Sequence, residues 1–163
     1  MRLAQEKIVG REKLPEIATE LRARSKKIVF ANGCFDILHV GHVRYLEGAR
    51  AEGDALVVGV NADSGVGRLK GPGRPVLGER ARALLIAAVR VVDYVVIFSE
   101  PNVESLLAEL RPDVHAKGTD YTAETVPERA IADRLGIRVA IVGDPKNHST
   151  RDLLQTVRQA PDG

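Results

Sequence analysis

Apolar positions along the chain switch repeatedly between two spacings, and the switching predicts an architecture. Leu14, Ile17, Ala18 and Leu21 recur at three- and four-residue intervals. Pro15 is tolerated only in a first turn, so residues 11–25 read as an amphipathic helix. The run Lys27-Ile28-Val29-Phe30-Ala31 is entered from basic residues and left through Asn32-Gly33, the pattern of a strand buried on both faces. A helix follows from about Val40 to Arg50, with Val43, Leu46 and Ala49 facing inward, and Gly53 closes it before a second apolar run, Ala55 to Val60.

The alternation then repeats. Ala81, Leu84, Leu85 and Ala88 predict a helix before the strand Tyr94 to Phe98, and Val103, Leu106, Leu107 and Leu110 predict another before Val114 to Ala116. A helix around 127–135 precedes the strand Val139 to Val142, and Leu153, Leu154 and Val157 mark a C-terminal helix. Strands alternating with helices predict an α/β fold, a five-stranded parallel sheet wound on both faces in a single domain, because parallel strands need crossover connections. Residues 1–26 form an N-terminal helical extension in this reading, and 27–160 the main domain. In such sheets ligands bind beyond the carboxyl ends of the strands, which directs attention to the loops after strands one, two, four and five. The connection from Asp63 to Gly78 holds Gly65, Gly67, Gly71, Gly73, Gly78, Pro72 and Pro75, and reads as a long mobile loop.

Composition narrows the function classes. With 163 residues, 44% of them hydrophobic, the chain has one domain's worth of core. No apolar run reaches the roughly 20 residues needed to cross a bilayer, and no membrane partner is expected. The 24 basic and 22 acidic residues are interspersed and net to +2, without a basic stripe, so no nucleic-acid partner is expected. Cys34 is the single cysteine, and no secretory leader is recognisable, which together predict a cytoplasmic location.

The strongest chemical signal is Asn32-Gly33-Cys34-Phe35-Asp36-Ile37-Leu38-His39-Val40-Gly41-His42, between the first strand and the following helix. His39 and His42 are three residues apart, so both imidazoles fall on one face at the helix N-terminus. There the helix dipole and unpaired N–H groups attract anions, Gly33 and Gly41 allow close backbone approach, and the imidazoles can donate to phosphate oxygens. The alternative of a metal site lacks supporting ligands, for no compact Cys, His and carboxylate cluster exists beyond Asp36.

The segment Gly33-x-Phe35-Asp36-x-x-His39-x-Gly41-His42 resembles the signature of the cytidylyltransferase-like nucleotidyltransferases, and the likeness runs from about residue 7 to 158. Within that superfamily the chain is most similar to the branch that makes ADP-heptose from heptose 1-phosphate. The segments that carry this include Arg44-Tyr45-Leu46, Arg68-Leu69-Lys70-Gly71-Pro72-Gly73-Arg74-Pro75-Val76, Lys117-Gly118-Thr119-Asp120-Tyr121-Thr122, and Ser149-Thr150. The resemblance implies a Rossmann-like doubly wound fold and ATP and heptose 1-phosphate as substrates, with Mg²⁺ accompanying ATP and no protein metal site. A homo-oligomer is expected.

It further implies His39, His42 and Lys70 as catalytic groups, and nucleotide contacts from Asn32, Gly33, Cys34, Phe35, Gly41, Arg80, Ser149 and Thr150. Asp36, Lys117 and Asp120 would face the acceptor. Lys70 and Arg74 are expected to gain partners only when phosphates arrive, closing the loop over the triphosphate. Two positions depart from the pattern, Thr119 standing where relatives have a second glycine and Arg151 where they often have a second threonine. A cytidylyltransferase acting on glycerol 3-phosphate, and a nucleotide-binding module without catalysis, remain as alternatives. Lys70 to Val76 and Lys117 to Thr122 favour the heptose reading over the first, and intact His39, His42 and Lys70 argue against the second.

Overall fold

Alternation within the strands decides which helices cover which face. Ile28 and Phe30 of the first strand point into a core shared with Leu14, Ile17, Ala18, Leu21, Leu106, Leu107 and Leu110. Val29 and Ala31 point the other way, against Leu46, Ala49, Ala83, Ile86 and Ala87. The sheet is buried on both sides, the arrangement that continuous apolar strands require.

The computed structural model describes residues 2–145 and 147–160. In chain order it contains α1 (Ala4–Lys7), a 3-10 turn (Arg11–Lys13), α2 (Leu14–Ala23), β1 (Ile28–Gly33), α3 (Val40–Ala51), β2 (Ala55–Asn61), α4 (Asp63–Lys70) and α5 (Glu79–Ala88). Then come β3 (Tyr94–Phe98), α6 (Glu104–Leu110), β4 (Val114–Gly118), α7 (Arg129–Leu135), β5 (Arg138–Val142) and α8 (Thr150–Gln159). All five strands are parallel in the order β3-β2-β1-β4-β5, so the predicted doubly wound sheet is present. The winding reverses between β1 and β4, which opens a crevice at their carboxyl ends. Among the described residues no helix is long and apolar enough to cross a membrane.

Two elements differ from expectation. The first half of the supposed loop from Asp63 to Gly78 is helix α4, in spite of two interior glycines that each cost about 1 kcal/mol relative to alanine. Tertiary contacts override that propensity. Val66 is fully buried, a Cβ on Gly65 would lie 3.4 Å from Asn61 Nδ2, and the Asp63 N–H donates to Glu79 Oε2 at 2.8 Å. Conversely, α8 forms where its amphipathic pattern predicts, yet buries none of its residues, and Val157 is 71% exposed.

Candidate active site

At the crevice, α3 begins with a cap made of two imidazoles. His39 is extended at the N-cap position, and its Nδ1 accepts the Gly41 N–H at 3.1 Å. His42, one turn in, returns the bond, its Nδ1 accepting the His39 N–H at 3.3 Å. The reciprocal pattern is that of a capping box, with rings in place of the usual hydroxyl and carboxylate. With each Nδ1 used as an acceptor, each neutral ring carries its proton on Nε2. The rings stack 3.9 Å apart at 28°, so the helix start sets two imidazoles side by side, while the Gly41, His42 and Val43 amides are taken up within the cap by His39. Gly41 is required for this: a Cβ there would sit 3.0 Å from His39 Nδ1.

Behind the histidines lies Phe35, buried and at φ 49°, a left-handed conformation uncommon for a residue with a side chain. Its ring meets His42 edge-on at 5.3 Å and stacks on Tyr45 at 6.4 Å. A Cβ at Gly33 would press to 3.1 Å from that ring. Phe35 thus supports the cap from inside the fold.

Asp36 is 2% exposed, and its carboxylate is already engaged. It accepts from Arg74 Nε at 2.6 Å, from the Val76 N–H at 2.8 Å and from the Leu77 N–H at 3.0 Å. Burial works to raise its pKa, but the two backbone donors and the guanidinium outweigh it and hold the carboxyl below its usual value. Arg74 therefore has a partner without phosphate, contrary to expectation, because the turn from Arg74 to Leu77 wraps around a buried anion. Arg82, which sequence reasoning passed over in favour of Arg80, is fully buried. It donates to Leu77 O at 2.8 Å, Cys34 O at 2.6 Å and Asp63 Oδ1 at 2.8 Å, tying the histidine loop to both ends of the α4 segment. The apolar spacing of Ala81, Leu84, Leu85 and Ala88 points to the other face of α5, which the structure leaves exposed, while Arg82, Ala83, Ile86 and Ala87 are its buried side. Arg80 is exposed beside a cleft of about 400 Å³ lined by Asp63, Gly78 and Glu79. Lys70, at the end of α4, is exposed. The Cys34 thiol is half-buried; burial pushes its pKa up, and Lys70 and Arg82 pull it back in part.

Asn32 closes β1 with its side-chain oxygen 3.0 Å from Nε2 of His115, a fully buried imidazole on β4. Burial, reinforced by Lys117, lowers the His115 pKa to about 3, so the ring is neutral. At the end of β4, Lys117 is only 7% exposed and lies 3.4 Å from Glu128 Oε2, while Thr119 and Asp120 are exposed. The Thr119 hydroxyl donates to Asp144 O at 2.9 Å, and Asp144 pairs with Arg44 of α3, so the departure from glycine links two loops of the crevice. Ser149 caps α8 by accepting the Asp152 N–H at 3.1 Å, and the Thr150 hydroxyl reaches Ile37 O at 3.4 Å, beside the histidine loop. The structure thus gathers the β1, β4 and α8 segments around the α3 terminus. Among the described residues, no group of three His, Cys, Asp or Glu side chains gathers to hold a metal ion.

Comparisons with known proteins agree with this geometry. The profile of the cytidylyltransferase-like family matches residues 30–155. The bifunctional protein HldE of Pelobacter propionicus is 47% identical over 151 residues, 93% of this chain and 31% of the relative. HldE of Pseudomonas paraeruginosa is 47% identical over 152 residues, 93% of this chain and 32% of the relative. The chain therefore spans about a third of the length of these relatives. Among solved structures, a lipopolysaccharide core biosynthesis protein from Thermoplasma volcanium superposes with a TM-score of 0.63 at 28% identity, over 74% of this chain and 99% of the other. A pantoate-β-alanine ligase from Francisella tularensis shares the fold, with a TM-score of 0.64 at 16% identity over 94% of this chain and 79% of the other.

Proposed function

The chain belongs to the cytidylyltransferase-like family, and from that premise we propose that it is an adenylyltransferase, moving AMP from MgATP to D-glycero-β-D-manno-heptose 1-phosphate. The observation that carries the reading is the pair of imidazoles stacked at the α3 terminus with both Nδ1 atoms engaged by the backbone, where the sheet's winding reverses. The likeness to HldE proteins and to a lipopolysaccharide core biosynthesis protein supports the choice of acceptor.

A sugar 1-phosphate is largely dianionic at neutral pH, its second pKa being about 6, so its oxygen attacks without a strong general base. The oxygen–phosphorus bond forms at Pα in line with the breaking bond to the β-phosphate, and pyrophosphate leaves with that electron pair. Catalysis is then positioning and charge stabilisation. His39 and His42 donate to the Pα oxygens as their charge grows, and the α3 dipole adds to the field. Lys70 turns inward from the end of α4 to meet the triphosphate. Ser149 and Thr150 hold its distal phosphates at the α8 terminus, and Lys117 faces the acceptor phosphate. Asp36 and Arg82 act behind them as anchors. Mg²⁺ enters as part of the nucleotide substrate and offsets its charge.

The test is to incubate the protein with each nucleoside triphosphate, Mg²⁺ and a panel of sugar and alcohol phosphates, following pyrophosphate. ATP with the heptose phosphate is expected to be the fastest pair. Faster turnover of CTP with glycerol 3-phosphate overturns the assignment.

A further inference from the structure

Lys117 and Glu128 form an ion pair that is taken out of water without being completed. The side chains are 8% and 7% exposed, and Nζ stands 3.4 Å from Oε2. Yet Glu128 Oε2 is buried and has no hydrogen-bond partner among the described residues. Removing a carboxylate and an ammonium from water costs several kcal/mol each, which mutual attraction offsets only when geometry is good and the remaining donors and acceptors are satisfied. Here the acceptor is left short, and a buried unsatisfied oxygen in a native fold calls for a reason.

The surroundings supply one. The Tyr121 ring lies over the ammonium, 4.8 Å from Nζ to its centroid, and Tyr121 is itself 36% exposed. One movable aromatic side chain on a surface turn thus lies across the pair. On the other side is Tyr45, one helical turn beyond His42, its hydroxyl donating to Ala116 O at 2.9 Å. Ala116 precedes Lys117 on β4, so this bond ties the strand that carries the pair to the helix that carries the histidine cap.

Resting on the adenylyltransferase reading, we propose that Lys117, Glu128 and Tyr121 form the acceptor-sugar subsite, with Glu128 as its specificity-determining residue. A pyranose phosphate completes what the pair lacks. A ring hydroxyl donates to Glu128 Oε2, a ligand oxygen accepts from Lys117 Nζ, and the Tyr121 ring shifts to lie against the sugar's C–H face. A site built to receive a hydroxyl rejects an analogue lacking it, because its own polar group is then left unpaired.

The test compares wild type, Glu128→Gln and Tyr121→Ala, with Michaelis constants measured separately for ATP and sugar phosphate. A series of pyranose 1-phosphates, each lacking one hydroxyl, serves as the second probe. Glu128→Gln is expected to raise the constant for sugar phosphate tenfold or more while that for ATP changes less than threefold. One deoxy analogue is expected to lose about tenfold in kcat/KM with wild type and nothing further with the variant. Tyr121 is exposed, so its replacement leaves the fold intact even if the Gln variant is unstable, and it is expected to raise the sugar constant alone. Equal effects on both substrates, or strictly additive losses across the deoxy series, overturn the subsite. Absence of wild-type turnover with every sugar phosphate overturns the adenylyltransferase reading instead. In that case equilibrium binding of the same sugar phosphates decides, and indifference of their affinity to Glu128→Gln and Tyr121→Ala overturns the subsite as well.

Discussion

The two corners of the crevice are built on opposite plans. After β1, polar groups are matched: Asp36 takes three donors, Arg82 gives to three acceptors, and the two histidines cap the helix by accepting the Gly41 and His39 amides. After β4, a buried carboxylate oxygen has no hydrogen-bond partner among the described residues, and the residues from Thr119 to Thr122 are exposed. A group that stabilises developing charge must be in place before reaction, because reorganising it during the reaction adds to the barrier. A group that recognises a substrate is free to stay incomplete until the substrate arrives. The β1 corner has the first property and the β4 corner the second.

If that contrast is right, substitutions at the β1 corner lower turnover and those at the β4 corner raise a Michaelis constant. His42→Ala gives the sharpest case. Losing one donor to a transition-state oxyanion costs on the order of 3 kcal/mol, roughly a hundredfold or more in kcat. The cap it contributes is worth only about 1 kcal/mol of stability. His39→Ala is expected to behave likewise. A pyrophosphate-release assay beside a thermal melt separates the two effects, and a folded variant with near-normal kcat breaks the comparison.

Arg82→Met comes next and tests whether the β1 corner is held from behind. Methionine fills most of the volume but leaves Leu77 O and Cys34 O without their donor inside the fold, while Asp63, half-exposed, is rehydrated. A loss of roughly 2–3 kcal/mol follows from two stranded acceptors. Urea denaturation measures it. Hydrogen exchange at the Val76 and Leu77 amides is expected to quicken, since the turn that wraps Asp36 loses its brace.

How far these features were legible in the sequence follows from their physics. Continuous apolar runs gave the five strands, because buried parallel strands leave little room for polar residues, and the histidine spacing gave the α3 terminus. Helix α4 was hidden because Gly65 and Gly67 disfavour helix locally, and only the contact with Asn61 and the burial of Val66 reverse that. Arg82 was hidden because a charge on an inward helix position reads as an error in the pattern until its three acceptors are seen. Asp36 was legible as part of a motif, but the donors it gathers lie some forty residues on. Glu128 gave no signal, since ten residues that include a turn separate it from Lys117.

His115 offers a test by acid at the boundary between the corners. Its folded pKa of about 3 lies below the unfolded value of 6.5, so the unfolded chain binds the extra proton. The stability contributed by the neutral ring is therefore full above about pH 6.5 and is lost as pH falls toward 3. By pH 5 the loss from this group is about 2 kcal/mol. His115→Leu removes that slope, and at neutral pH it strands the Asn32 side-chain oxygen, costing about 1 kcal/mol. Denaturation curves at pH 7 and pH 5 are expected to show the variant less stable at the first and no longer so at the second. Parallel slopes for the two proteins sink the prediction.

The smallest expected effect concerns Lys70, which belongs to neither corner until nucleotide binds. It is exposed at the end of α4, near enough to Cys34 to bear on that thiol, while the residues following it are fixed through Arg74 and Asp36. The reach it needs is therefore a rotation of one long side chain with a small adjustment of the α4 end, rather than closure of the whole segment from Asp63 to Gly78. Hydrogen exchange with and without an unreactive ATP analogue is expected to show protection gained around Lys70 to Gly73 and little change at Val76 and Leu77. If, as proposed, the ammonium meets charge that grows as pyrophosphate departs, Lys70→Ala lowers kcat about tenfold, near 1.4 kcal/mol, and leaves ATP binding less affected. An increase confined to the Michaelis constant for ATP makes Lys70 a tether for the ground state, and the contrast between the corners then stops at the histidines.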